Sequence, residues 1–179
     1  MAVEYTLELF PTEGNWDSYV KWLGGTDIQR TNDNAGVDLY CVEQQDVTCP
    51  RNATLLNLGV KARMIKHFID SDHQEQCHFW LAPRSSIWKS NVRQANSLGV
   101  IDRSYRGVLM GAVLANDLAT IIWADTRLFQ VLAPDMGYIS RVRLLPESDL
   151  DTTTRGEGGF GSTGITEPAG GEGGFGSTG

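Results

Sequence analysis

Four short strings in this 179-residue chain carry residue types that could do chemistry, and two of them are suited to an anion. Pro83-Arg84-Ser85-Ser86 follows an apolar, β-rich run, and a guanidinium beside paired hydroxyls at a strand end makes a compact corner for phosphate oxygens. Gly99-Val100-Ile101-Asp102-Arg103-Ser104-Tyr105-Arg106-Gly107 brackets a carboxylate and a phenol between glycines, the composition of a hairpin that sets an acid and an aromatic ring on one rim. Asn34-Ala35-Gly36-Val37-Asp38-Leu39-Tyr40 reads as a loop entering a strand and carrying a second carboxylate. Gly156-Glu157-Gly158-Gly159-Phe160-Gly161-Ser162-Thr163-Gly164 offers backbone N–H groups and hydroxyls to an anion at little steric cost, with one phenyl ring able to stack on a base. It lacks the lysine of a Walker A loop. Taken singly, each string is ordinary: an Asp at a turn usually caps it, and a Gly/Ser segment serves as a linker.

The elements that must hold these strings read as short strands. Runs over residues 5–10, 54–60, 77–81, 107–114, 118–123, 127–133 and 138–145 are β-rich and bounded by Gly, Pro, Asn or Asp. That spacing predicts an all-β sandwich or barrel. Helix signals are confined to residues 16–23, a short amphipathic pattern, and 91–97, a turn or two. After about residue 150 the composition turns to Gly, Thr and Ser with two aromatics, Phe160 and Phe175, too little apolar surface for a core. The expected organisation is a core over residues 1–150 and a mobile arm over 151–179. The nonapeptide of residues 156–164 recurs identically at 171–179, but only the first copy is preceded by an arginine, Arg155.

Composition limits the function classes. A hydrophobic content of 41% supports one domain with a real core. A net charge of −7 argues against a nucleic-acid binder, which needs basic surface, while leaving room for a nucleotide held by a few arginines. Cys41, Cys49 and Cys77 are odd in number and lack Cys-x-x-Cys spacing, so a disulfide framework or zinc site is not expected. No run approaches the roughly 20 apolar residues that cross a bilayer, and residues 1–4 do not read as the start of a signal peptide. The expectation is a soluble protein of the cytoplasm or nucleus, not secreted.

In combination and in this order, the strings resemble those of the trimeric dUTP diphosphatases. The resemblance runs from about Glu4 to Gly164 and rests on Ala35 to Tyr40, Pro83 to Ser86, Gly99 to Gly107, a weaker string ending Arg127-Leu128-Phe129-Gln130, and Arg155 to Gly164. It implies a distorted jelly-roll β-barrel assembled as a homotrimer, with active sites shared between subunits and each C-terminal arm closing over a neighbour's site. It implies hydrolysis of dUTP to dUMP and pyrophosphate with Mg²⁺. Asp102 would activate the attacking water and meet the deoxyribose 3′-OH. Tyr105 would lie under the sugar and reject a 2′-OH. Gly99, Val100 and Ile101 would read the uracil edge, with Asn96 as a further polar contact. Arg84, Ser85, Ser86 and Gln130 would hold the phosphates, and Asp38 would hold Mg²⁺ through water. From the arm, Arg155 would pair with the γ-phosphate, Phe160 would stack on uracil, and Gly161, Ser162 and Thr163 would close on the phosphates.

The sequence departs from the family in three places. Ser104 stands where a second acid is usual. Asp125-Thr126-Arg127 replaces the usual Gly-Asp/Glu-Arg, so the turn there is expected to differ. Residues from about 12 to 30 exceed the usual N-terminal link, and Trp16, Tyr19 and Trp22 are expected to pack against the barrel or an interface. Two rivals remain: a regulatory homologue that hydrolyses nothing, against which Asp102, Tyr105, Arg155 and Phe160 argue, and a dCTP deaminase of the same fold. The second would need a glutamate near the hairpin, and none lies between Arg84 and Gly107.

Overall fold

The computed structural model describes residues 2–160. Among them, fourteen strands form four sheets around one apolar core, with a single α-helix. The largest sheet places β2 (Asp27–Gln29), β14 (Ile139–Leu144), β1 (Val3–Pro11), β6 (Val60–Phe68) and β7 (Gln74–Cys77) side by side in that order. The second is ordered β10 (Gly99–Ile101), β8 (Phe79–Pro83), β13 (Phe129–Leu132), β3 (Val37–Leu39). The third joins β5 (Thr54–Asn57), β11 (Met110–Ala115) and β9 (Val92–Gln94), and the last pairs β12 (Thr120–Ile122) with β4 (Gln45–Val47). The all-β expectation holds, and each predicted run contributes to at least one strand.

Period-two patterning explains how the strands face the core. In β6, Val60, Ala62 and Met64 are buried while Lys61 and Arg63 point outward. In β1, Leu7 and Leu9 enter the core, and the opposite face carries Glu8, itself buried and paired with Arg63 Nη2 at 2.6 Å and Arg143 Nη1 at 3.4 Å.

One expectation needs correction. Residues 91–97 do not form a helical turn: the helical turn lies earlier, as a 3-10 helix over Ile87–Ser90, and Asn91, at φ 57, ends it. Val92 is then free to bury itself and pair with Ala115 in β9. In the turn before β13, Asp125 takes φ 65, and Asp is among the residues that tolerate the left-handed region.

The helix α1 spans Trp16–Leu23, as its amphipathic pattern predicts. Gly24, at φ 79, caps it by donating to the Val20 carbonyl. Tyr19 is fully buried and donates its hydroxyl to the Leu58 carbonyl at 2.6 Å; burial pushes its phenol well above the ordinary value. Among the described residues no helix is long and apolar enough to cross a membrane.

Candidate active site

The second sheet carries both halves of the site. At one edge, β10 pairs with β8 through Gly99↔Leu81, Val100↔Trp80 and Ile101↔Phe79. Among the described residues no strand covers the other side of β10, so those of its backbone groups that face away from β8 remain for a ligand edge. Leu81, Asn96, Val100, Asp102, Tyr105 and Phe160 line one pocket beside this edge.

Tyr105 is fixed by local geometry. Its amide donates to the Asp102 carbonyl at 2.9 Å, and its hydroxyl to the Val108 carbonyl at 2.9 Å. The ring lies against Gly107, where a Cβ would stand 2.3 Å from the phenol oxygen, so only glycine fits. Burial, and then the nearby Glu157, push the phenol pKa up, leaving a neutral ring as floor of the pocket.

Asp102 is half-buried at the pocket mouth. Its carboxylate accepts from Arg155 Nη1 and lies 3.4 Å from His78 Nδ1. Arg155 also donates to the Gly158 carbonyl at 3.0 Å, and its guanidinium stands 5.8 Å from the centre of the Tyr105 ring. Arg155 and Phe160 thus reach the same pocket as the hairpin.

The start of the arm is tied to the hairpin and to β6 of its own chain. Arg106, only 6% exposed, donates through Nε to the Asp151 carbonyl and through Nη2 to its carboxylate at 3.1 Å. Its other nitrogen bonds the Arg103 and Tyr105 carbonyls at 2.8 and 2.9 Å, and its amide bonds the Gly156 carbonyl at 2.8 Å. Arg63 holds Asp151 at 2.7 Å, and Lys61 holds Glu157 at 2.7 Å. Burial pushes the Asp151 carboxyl up, but hydrogen bonds from Arg106 and Arg63 outweigh it and keep it below the usual carboxylate range. Thr153 donates to the Ser104 carbonyl, so the position lacking the second acid is linked to the arm through its backbone.

The other half lies toward the far edge. Asp38 in β3 pairs with Gln130 in β13, and Arg84 follows β8 directly. Asp38, Arg84, Ser85 and Gln130 line a groove separate from the Tyr105 pocket. The Asp38 carboxylate is shared by two guanidiniums, Arg84 Nε at 3.0 Å and Arg127 Nη1 at 3.2 Å. The Gln130 amide donates to the Pro83 carbonyl at 3.3 Å and rests on Gly36, where a Cβ would stand 1.9 Å from its oxygen. Ser86 precedes the 3-10 helix, which leaves Ser85 exposed beside Arg84. Among the described residues no three His, Cys, Asp or Glu side chains cluster as a metal cage. A single carboxylate beside a groove lined by Arg84 and Ser85 fits a hard cation that keeps most of its waters.

Of the predicted site residues, Asn96, Gly99, Val100, Ile101, Asp102, Tyr105, Arg155 and Phe160 share the first pocket, and Asp38, Arg84, Ser85 and Gln130 the groove. Gly161, Ser162 and Thr163 lie outside the described residues. Three residues escaped sequence reasoning. His78 is a lone histidine that only the fold brings to Asp102. Gln94 donates to Asn96 Oδ1 at 2.9 Å and so fixes which end of that amide faces the pocket, while its own Oε1 is buried without a partner. Arg127 carried the available signal, since it belongs to the fourth family string.

Residues 27–164 match the dUTPase family. The chain is 33% identical over 140 residues to a deoxyuridine 5′-triphosphate nucleotidohydrolase of Leptospira interrogans, covering 76% of this chain and 89% of the relative. It is 32% identical over 139 residues to the enzyme of the same name from Hydrogenobaculum sp., covering 75% and 87%. The corresponding protein of Alkaliphilus metalliredigens is 29% identical over 133 residues, covering 74% and 84%. With the ordered strings converging on one pocket and one groove, and the match spanning both, the chain belongs to the dUTPase family.

Proposed function

We propose that this chain hydrolyses dUTP to dUMP and pyrophosphate. The observation that carries the reading is the convergence of Asp102, Tyr105, Arg155 and Phe160 on one pocket whose wall is an unpaired strand edge. Uracil presents two carbonyl acceptors and an N–H donor between them, and the free edge of β10 offers the matching backbone groups. Tyr105, neutral and pinned against Gly107, gives the sugar an apolar floor with no space for a 2′-OH. Phe160 covers the base from the arm.

In the reaction, water attacks the α-phosphorus as the bond to the bridging oxygen of pyrophosphate breaks. The water proton passes to Asp102, a carboxylate suited to act as general base. Arg84, Ser85, Ser86 and Gln130 orient the phosphates, and Arg155 takes the γ-phosphate with Gly161, Ser162 and Thr163. Positioning and charge neutralisation supply most of the rate. Asp38 would hold Mg²⁺ through water, where the ion would supply charge neutralisation for the leaving pyrophosphate.

The separation of the groove from the base pocket within one chain supports a homotrimer in which each site takes its phosphate half from a neighbour. The family match extends through residue 164 and so includes the first nonapeptide copy alone, which supports that copy as the catalytic one. The test is pyrophosphate release from dUTP, dTTP, dCTP and UTP, with and without magnesium. Release from dUTP alone, dependent on magnesium, is expected. Comparable release from UTP or dTTP, or ammonia release from dCTP, would overturn the reading.

A further inference from the structure

The helix α1 lies outside the segment that matches the family, which begins at residue 27. It nonetheless reaches the phosphate groove. Trp22 stacks on Tyr40 with ring centroids 4.2 Å apart and planes 12° from parallel. The Arg127 guanidinium stands 5.9 Å from the centre of the Tyr40 ring. Arg127 in turn bonds Asp38, which bonds Arg84. Leu23, the last residue of α1, lines the groove itself. Near-parallel aromatic rings at this separation attract one another, and a guanidinium is attracted to an aromatic face. Tyr40 therefore has a neighbour on its ring that fixes its plane and a cation whose position depends on that plane.

We propose that Trp22 is a positioning residue for the phosphate half of the site: by holding Tyr40 it sets where Arg127, and with it the Asp38–Arg84 pair, meets the triphosphate. The helix is anchored for this by a different residue, Tyr19, whose ring packs edge-on against Trp22 at 5.1 Å and whose hydroxyl is bonded to Leu58. Anchoring and positioning can thus be separated by mutation. The inference rests on the reading of Arg84 and Asp38 as phosphate- and metal-side residues.

The test uses full-length protein and the non-hydrolysable α,β-imido-dUTP, with affinity measured by calorimetry in saturating magnesium, alongside competition by deoxyuridine, which lacks phosphate. Trp22→Ala and Trp22→Leu are expected to weaken binding of the analogue about 5- to 20-fold and to leave deoxyuridine binding within about twofold. Trp22→Phe, which keeps a ring to stack on Tyr40, is expected to restore most of the loss. Tyr19→Phe lowers Tm without moving either affinity. In an Arg127→Gln background the further loss from Trp22→Leu should fall below about twofold, because the two residues act through one contact. If Trp22→Leu leaves analogue affinity unchanged, or weakens deoxyuridine equally, the positioning role is wrong. Arg84→Gln separates the two levels. If it leaves analogue affinity intact, the assignment of the groove to phosphate fails. If it weakens binding while Trp22→Leu does not, only the helix inference fails.

Discussion

Arg155 donates from Nη1 to the carboxylate of Asp102, across 53 residues of sequence. The cation supplied by the arm and the acid supplied by the hairpin are therefore direct partners. In the proposed mechanism a terminal phosphate would compete for the same guanidinium, and its capture would free the Asp102 oxygen to accept a proton from water. Arg155→Gln should lower kcat/KM for dUTP about 100-fold, equivalent to about 2.7 kcal/mol. Steady-state kinetics check this, and a loss below about threefold would remove Arg155 from the site.

The two nonapeptide copies differ in what precedes them, Arg155 before the first and Gly170 before the second. Phe160 of the first copy lines the base pocket. Phe160→Ala should cut turnover of dUTP by at least about tenfold, since base–aromatic stacking contributes roughly 1–3 kcal/mol. Deleting residues 165–179 should leave turnover within about twofold. If only the deletion impairs the enzyme, the working copy is the second.

Arg106 joins the hairpin to the start of the arm through bonds to Asp151, Arg103, Tyr105, Gln76 and Gly156. Removing a buried, fully bonded guanidinium leaves several acceptors unsatisfied, so Arg106→Ala should destabilise the protein by about 3 kcal/mol. Urea unfolding measures it. A change below about 0.5 kcal/mol would contradict the role assigned to this residue.

Asp151 gives the arm a pH dependence whose sign is fixed. Arg106 and Arg63 hold its folded-state carboxyl below the ordinary range despite burial, so the unfolded chain binds the proton more readily. Stability from this residue is then complete above its unfolded value of about 3.9 and is lost as pH falls through the folded value. Thermal melts of wild type and Asp151→Asn should differ at about pH 6 and converge toward about pH 3. A gap that widened on acidification would reverse the assignment.

The sequence singled out candidate site residues more readily than the contacts that bring them together. Asp38, Arg84, Asp102, Tyr105 and Phe160 were legible because each combines a reactive side chain with glycine or proline punctuation, in an order few folds require. Helix α1 was legible because its apolar residues recur at helical spacing. β6 beyond Val60 escaped, although Val60, Ala62 and Met64 alternate, because the charged Lys61 and Arg63 stand between them. Their charge is explained only by Glu8, Glu147, Asp151 and Glu157, which arrive from distant segments. The same limit hid His78 beside Asp102 and the stack of Trp22 on Tyr40: contacts between segments far apart in sequence leave no local signature.

The most direct test is the single-turnover rate of dUTP cleavage by Asp102→Asn at saturating magnesium, with α,β-imido-dUTP affinity measured on the same protein. If Asp102 accepts the proton of the attacking water, cleavage falls by about 10²- to 10⁴-fold while the analogue still binds within about tenfold. Cleavage at the wild-type rate would contradict it.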